Sequence, residues 1–282
     1  MALLKQVFNF YINSSIHVAL SVVSLTWITL MEYDVLYNDT LLFFVFFASV
    51  SGYNFVKYFG IAKFHHRSLA SWLKAIQFFS FLSFFLMCYY AFKLNTNTLI
   101  YIVGFGLVTF FYAIPFLPKR FFLDSQFNLR NVGGLKVHII AMVWTGVTVL
   151  LPLINYQYNI NADIIITAIQ RFVFIVILMF PFEIRDMRYD SLKLATIPQK
   201  IGEKQTKIIG VLLLVLFFFL EFFKDDMDTT RLIVAMLISI ITGLFLIYSK
   251  KEQGKYYSSF WVEGLPIIWL LLMVMLSCFE CL

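Results

Sequence analysis

Apolar residues come in nine long blocks separated by short polar stretches, at about 14–31, 40–60, 69–92, 98–117, 135–154, 163–182, 207–223, 230–248 and 260–277. Each is close to the roughly twenty residues of helix that cross a hydrocarbon core. A bilayer offers no water to open backbone groups, so helix is the expected state of every block. The polar stretches are too short to hold a second domain. The pattern predicts an all-α integral membrane protein, one polytopic unit over 1–282 with nine transmembrane helices. The first block follows a single basic residue, Lys5, and no small-residue cleavage site, so it reads as a retained helix rather than a signal peptide.

Composition agrees. Hydrophobic residues make up 61% of the chain and charged ones 13%, where a soluble domain carries roughly a quarter charged. Thirty-four phenylalanines, in runs such as Phe217 to Phe219, would aggregate in water and are ordinary in lipid. The net charge of +6 does not point to nucleic acid, because the basic residues form no domain of their own. They sit between the blocks, where membrane topology and anionic lipid account for them. Cys278 and Cys281 form a lone CxxC at the end of the chain, without the second pair of a zinc site, and read with Cys88 as inert lipid-facing residues.

The charges also orient the chain. Of the 22 Lys and Arg residues, Lys93, Lys224 and Arg231 fall on one side of the blocks, and Arg171 lies inside the sixth. The other eighteen alternate without a break onto the opposite side, beginning with Lys5. By the positive-inside rule that side is cytoplasmic, with the N-terminus inside and Leu282 outside. The longer loops, 57–74, 118–136 and 183–207, are on it too, so function is expected at that face.

The segment with most chemical content runs from Phe180 to Gly202. Glu183, Asp186 and Asp190 stand at i, i+3 and i+7, which on a continuing helix is one face spanning roughly 10 Å. Carboxylates so close repel one another unless a cation sits between them. Hard oxygens of this kind suit Mg²⁺, which keeps waters and bridges to substrate phosphates. Arg185 and Arg188 alternate with them and suit phosphate oxygens. The competing reading is a solvated, charge-balanced helix end.

This stretch resembles the second aspartate-rich motif of the UbiA-type intramembrane prenyltransferases, which runs approximately N-D/N-x-R-D-x-x-x-D, then T-L, then a glycine. Arg185, Asp186, Asp190, Thr196 and Gly202 match it, and Glu183 stands where the family has Asn or Asp. The interval from Asp190 to Thr196 is one residue short and lacks the usual glycine. Tyr112, Pro115, Lys119 and Arg120, followed by Asn128 or Asn131, resemble the family's Y-x-x-P-x-x-x-K-R segment. The family's first motif, N-D-x-x-D-x-x-x-D, is degenerate: Asn54 remains, every aspartate is gone, and Lys57, Lys63, His65, His66 and Arg67 make the segment cationic.

The resemblance implies a UbiA-like bundle of nine helices in a bacterial inner membrane. It implies Mg²⁺-dependent transfer of a polyprenyl group from its diphosphate to an aromatic or other small acceptor. Asp186 and Asp190 would be the Mg²⁺ ligands and, with Glu183, the catalytic carboxylates. Asn54, Lys57, Tyr112, Lys119, Arg120, Asn131, Arg185 and Arg188 would bind substrate. Fixed Lys and Arg charges can replace a carboxylate-bound metal opposite a diphosphate, at the loss of its polarising power. The alternative is a non-catalytic isoprenoid-binding or carrier protein on the same fold; a plain positive-inside anchor is the other reading of 57–67.

Ionisable groups inside membrane helices are costly and face a bundle interior or a cavity. Arg171 is expected to pair with a carboxylate, line a cavity or hydrogen-bond backbone carbonyls. Asn13, His17 and His138, taken singly, read as interhelical glue. Together with Glu263, one turn into the ninth block, they suggest a polar pocket under the inner loops, with the Phe-rich helices offering a groove for an isoprenoid tail.

Overall fold

The computed structural model describes residues 2–37, 39–58, 71–114, 134–188, 196–226 and 228–280. Among them the chain is helical and holds no strand. The helices are α1 (Ala2–Asn13), α2 (Ile16–Glu32), α3 (Asp39–Tyr58), α4 (Ser71–Ala91), α5 (Thr96–Ala113) and α6 (Leu135–Thr145). They continue with α7 (Leu151–Asn155), α8 (Ala162–Asp186), α9 (Ile197–Phe219), α10 (Thr229–Tyr248) and α11 (Leu265–Glu280). A π turn, Gly146–Leu150, joins α6 to α7, and a second, Tyr257–Val262, leads into α11. Among the described residues eight spans are long and apolar enough to cross a membrane, and α1 with α2, bent by 53°, passes as a ninth. The chain is an integral membrane protein of the all-α class.

The hydrophobic blocks did not foreshadow α1, because Lys5, Gln6, Asn9 and Asn13 interrupt its apolar residues. Tertiary contacts make it a helix. Phe8 meets Tyr256 and Phe260 edge-on at 5.1 and 5.2 Å between ring centroids, and Phe10 meets Phe79 of α4 at 5.9 Å. At the elbow Ser15 takes a left-handed φ of 64°. That conformation costs a non-glycine residue about 1 kcal/mol. Side-chain hydrogen bonds from α3, described below, offset it.

The spans α2 and α8 hold the centre. The first packs on α3, α11 and the Gly146–Leu150 turn, the second on α6, α9 and α10, and α10 closes the ring through α11 onto α2. In α8, 67% of the apolar window is buried; in α5, 11%, so α5 keeps most of its surface for lipid. One apolar core runs from Val18 to Met273 through Phe174, Phe217 and Trp269. α9 kinks at Gly202, whose φ of 83° only glycine adopts without strain.

Candidate functional site

Helix ends meet at one end of the bundle: the C-terminal turns of α3, α5 and α8 and the N-terminal turns of α6 and α11. This basic end carries the expected charges. Glu183 and Asp186 lie one turn apart at the end of α8 and therefore share a face. Carboxylates oppose the dipole at a helix C-terminus, as an ammonium does at an N-terminus. Lys136 in the first turn of α6 is that opposite mismatch, and the two resolve each other. Its Nζ lies 2.8 Å from Glu183 Oε1 and 3.9 Å from Asp186 Oδ2, while Arg185 Nε donates to Asp186 Oδ1 at 2.8 Å. The Glu183 side chain is 2% exposed and that of Asp186 23%. Glu183 is thus enclosed with Lys136, and Asp186 is the carboxylate a ligand can reach.

The last turns of α3 supply a second group. Asn54 is buried, with its amide Nδ2 donating to the Ser14 carbonyl at 2.9 Å and to Ser80 Oγ at 2.8 Å. Its Oδ1 accepts from Ser15 Oγ at 2.8 Å. One turn on, the Lys57 ammonium donates to the same Ser15 Oγ at 2.8 Å, and the Tyr58 hydroxyl donates to the Asn13 carbonyl at 2.9 Å. Asn54 ties the α1–α2 elbow to α3 and so fixes Lys57, which stays exposed.

Glu263 completes the arrangement. It follows the π turn Tyr257–Val262, where His17 Nε2 donates to the Phe260 carbonyl at 2.8 Å and His17 Nδ1 accepts from the Tyr11 hydroxyl at 2.8 Å. Gly264 permits that approach: a Cβ there would lie 2.8 Å from the Phe260 carbonyl and 3.2 Å from His17 Nε2. Ser21 Oγ of α2 donates to the Glu263 carbonyl and fixes its backbone. Tyr112 is buried at the end of α5. Tyr53 accepts a hydrogen bond from Trp144 Nε1 at 2.7 Å.

Among the described residues no three His, Cys, Asp or Glu come together as a metal-binding group. Asp186 has the hard oxygens and the exposure that fit one ligand of Mg²⁺, an ion that keeps waters and bridges to phosphates. Glu183, closed by Lys136, does not build a cage with it. α8 ends at Asp186, so the single helix face drawn through Asp190 stops there. Asp190, Lys119, Arg120, Asn128 and Asn131 lie outside the described residues, as do Lys63, His65, His66 and Arg67. Arg188 is exposed in the turn after α8. His138 bonds its own helix at Gly134, away from the site. Sequence reasoning assigned no role to Lys136, Tyr53, Tyr11 or the Ser14–Ser15 elbow. Only Lys136 carried a legible signal, as a lysine at a helix start that needs a carboxylate partner.

Arg171 belongs elsewhere. Its guanidinium donates to the Leu25 carbonyl at 2.8 Å and to Thr29 Oγ1 at 3.3 Å, and lies 5.0 Å over the Trp269 ring. Beside it Gln170 donates to Glu221 at 2.9 Å, and Glu221 pairs with Lys224 at 2.9 Å. A cavity of about 10 Å³ lined by Glu32, Gln170, Glu221 and Arg231 has room for about one water. This is a structural network toward the opposite end of the bundle.

The chain is a membrane-spanning helical bundle whose helix ends gather cations around carboxylates at one end, and its fold is shared with a solved membrane-protein structure. A solved structure, reported for the biosynthesis and mechanism of digeranylgeranylglyceryl phosphate synthase in membranes, superposes with a TM-score of 0.56. The match covers 96% of this chain and 98% of that chain at 17% sequence identity, a likeness of fold. No family model and no curated protein matches the chain.

Proposed function

We propose that the protein transfers a polyprenyl group from its diphosphate to a small acceptor at the basic end of the bundle. The observation that carries this is the gathering of Lys136 and Arg185 around the reachable carboxylate of Asp186, with Lys57 seated in the last turn of α3, on a fold shared with a solved prenyl-transferring enzyme. Lys57 and Arg185 hold the diphosphate, and Lys119, Arg120, Asn131 and Arg188 also contribute to its binding. Asn54 serves by fixing the elbow that presents Lys57, and Glu183 by holding Lys136. Tyr112 borders the donor. Asp186, with Asp190, holds Mg²⁺, which when bound neutralises the leaving diphosphate. The exposed apolar faces of α4 and α5 keep the isoprenoid tail in contact with lipid. The basic end is the cytoplasmic one, in a bacterial inner membrane.

The test is release of diphosphate from labelled geranylgeranyl diphosphate by protein in proteoliposomes, with an extract of the native membrane as acceptor source. Release is expected to need Mg²⁺, to stop in EDTA, and to fall about 100-fold or more in D186N, the scale of losing one group that stabilises developing charge. A second reading, an isoprenoid-binding protein without catalysis, is favoured by the absence of aspartates beside Asn54. Tight binding of the donor with no release would establish it instead.

A further inference from the structure

The bend between α1 and α2 leaves α1 in a position that prenyl transfer does not use. The Ser14–Ser15 elbow is tied to Asn54 and Lys57 in the last turns of α3. α3 has 20 residues and covers about 30 Å, the thickness of a bilayer core, so the elbow sits where the hydrocarbon ends. α2, with 17 residues, reaches the lower limit of a span by itself and does not need α1 to complete it. α1 turns away from it by 53°. From Asn9 to Leu3 the helix advances about 9 Å along its axis, of which the bend leaves about 5 Å along the direction of α2.

The two faces of α1 suit that boundary. Lys5, Asn9 and Asn13 stand at i, i+4 and i+8 and form a polar stripe, whereas Leu3, Leu4 and Val7 are 73%, 76% and 59% exposed. The polar stripe meets a second cation. Lys255 Nζ donates to Asn9 Oδ1 at 2.9 Å, one turn from Lys5, and the Tyr256 hydroxyl donates to the same oxygen at 2.8 Å. Lys5 and Lys255 are exposed, and among the described residues neither forms an ion pair. α1 holds no carboxylate, and 249–256 holds one, Glu252, against Lys250, Lys251 and Lys255. Exposed apolar side chains beside ammonium groups that no carboxylate neutralises are what a helix lying on anionic lipid presents.

We propose that α1 is an interfacial helix that binds an anionic phospholipid. Leu3, Leu4 and Val7 enter the boundary between headgroups and acyl chains of the leaflet at the basic end, and Lys5 and Lys255 hold the lipid phosphate. A zwitterionic headgroup brings its own ammonium, which the two lysines repel, so the site selects phosphatidylglycerol over phosphatidylcholine. The inference stands independently of prenyl transfer.

Two measurements on the full-length protein test it. In the first, with the native cysteines replaced by serine, L4C carries an environment-sensitive fluorophore in vesicles of phosphatidylcholine and phosphatidylglycerol. The vesicles contain lipid bearing a nitroxide near the glycerol backbone or at the middle of the acyl chain. Stronger quenching by the shallow nitroxide is expected. Stronger quenching by the deep one would make α1 part of the span, and none by either would leave the face to water or to a partner protein; both overturn the placement. In the second, binding of fluorescent phosphatidylglycerol is followed in detergent. Each lysine near an anionic surface contributes about fivefold, so K5Q is expected to bind about fivefold and K5Q/K255Q about 25-fold more weakly, with phosphatidylcholine binding unchanged. K93Q, at the opposite end, should match wild type, and thermal unfolding shows that the variants are folded. A loss below threefold in the double variant, or an equal loss for both lipids, overturns the phosphate site.

Discussion

Lys136 shows how a residue's meaning depends on what lies across from it. On its own helix it is a cation at the wrong end; across the interface it neutralises Glu183 at 2.8 Å, a carboxylate 2% exposed. Removing one partner of such a pair strands the other charge in apolar surroundings, which costs about 3–5 kcal/mol. K136M is therefore expected to lower stability by about 3 kcal/mol in detergent unfolding, and K136M/E183L to recover most of it. Additive losses in that cycle would show that the pair contributes nothing. Asn54 makes the complementary point. The family motif marks it as a site residue, whereas its amide is spent on Ser14, Ser15 and Ser80. Sequence spacing could not show this, because the elbow it holds lies forty residues upstream.

At the scale of elements, α8 carries two separate polar tasks on one helix. Its Glu183–Asp186 end joins the candidate site, and Gln170 and Arg171, four turns earlier, join it to α2 and the end of α9. Arg171 was open in the sequence between a pairing, a cavity and a carbonyl contact, and the carbonyl contact is what the fold supplies. A hydrogen bond from a charged donor is worth about 1.5–3 kcal/mol, so R171M should destabilise by about 2 kcal/mol while leaving diphosphate release by the folded fraction unaltered. Thermal unfolding in detergent beside single-turnover release separates the two. The α1 helix makes the opposite case: a segment too polar to read as a span becomes helix because Phe8 and Phe10 find partners on the second π turn and on α4.

For the whole molecule, the separation of charges between the two ends is the property with consequences for the cell. Lys251 at the basic end and Asp226 at the other are both exposed. With the native cysteines replaced by serine, D226C is expected to react with an impermeant maleimide in intact cells, and K251C only after the membrane is opened. The reverse result would turn the protein over in the bilayer and move the proposed diphosphate site to the outside. α3, α6, α8 and α11 all bring their polar turns to the end where the donor site is proposed, while α4 and α5 remain apolar surfaces for lipid.

The membrane class and a bundle of eight or nine apolar spans were present in the sequence, because hydrophobic length answers to the bilayer itself, a solvent that acts on each segment independently. Arg185 and Asp186 were legible for the same local reason, as charges of defined spacing at one helix end. The pairing of Lys136 with Glu183, the seating of Lys57 by Ser15 beside Asn54, and the anchoring of the π turn at Phe260 by His17 were decided only by tertiary structure. Each joins residues tens to more than two hundred positions apart, and the apolar blocks between them specify that helices pack, not which faces meet.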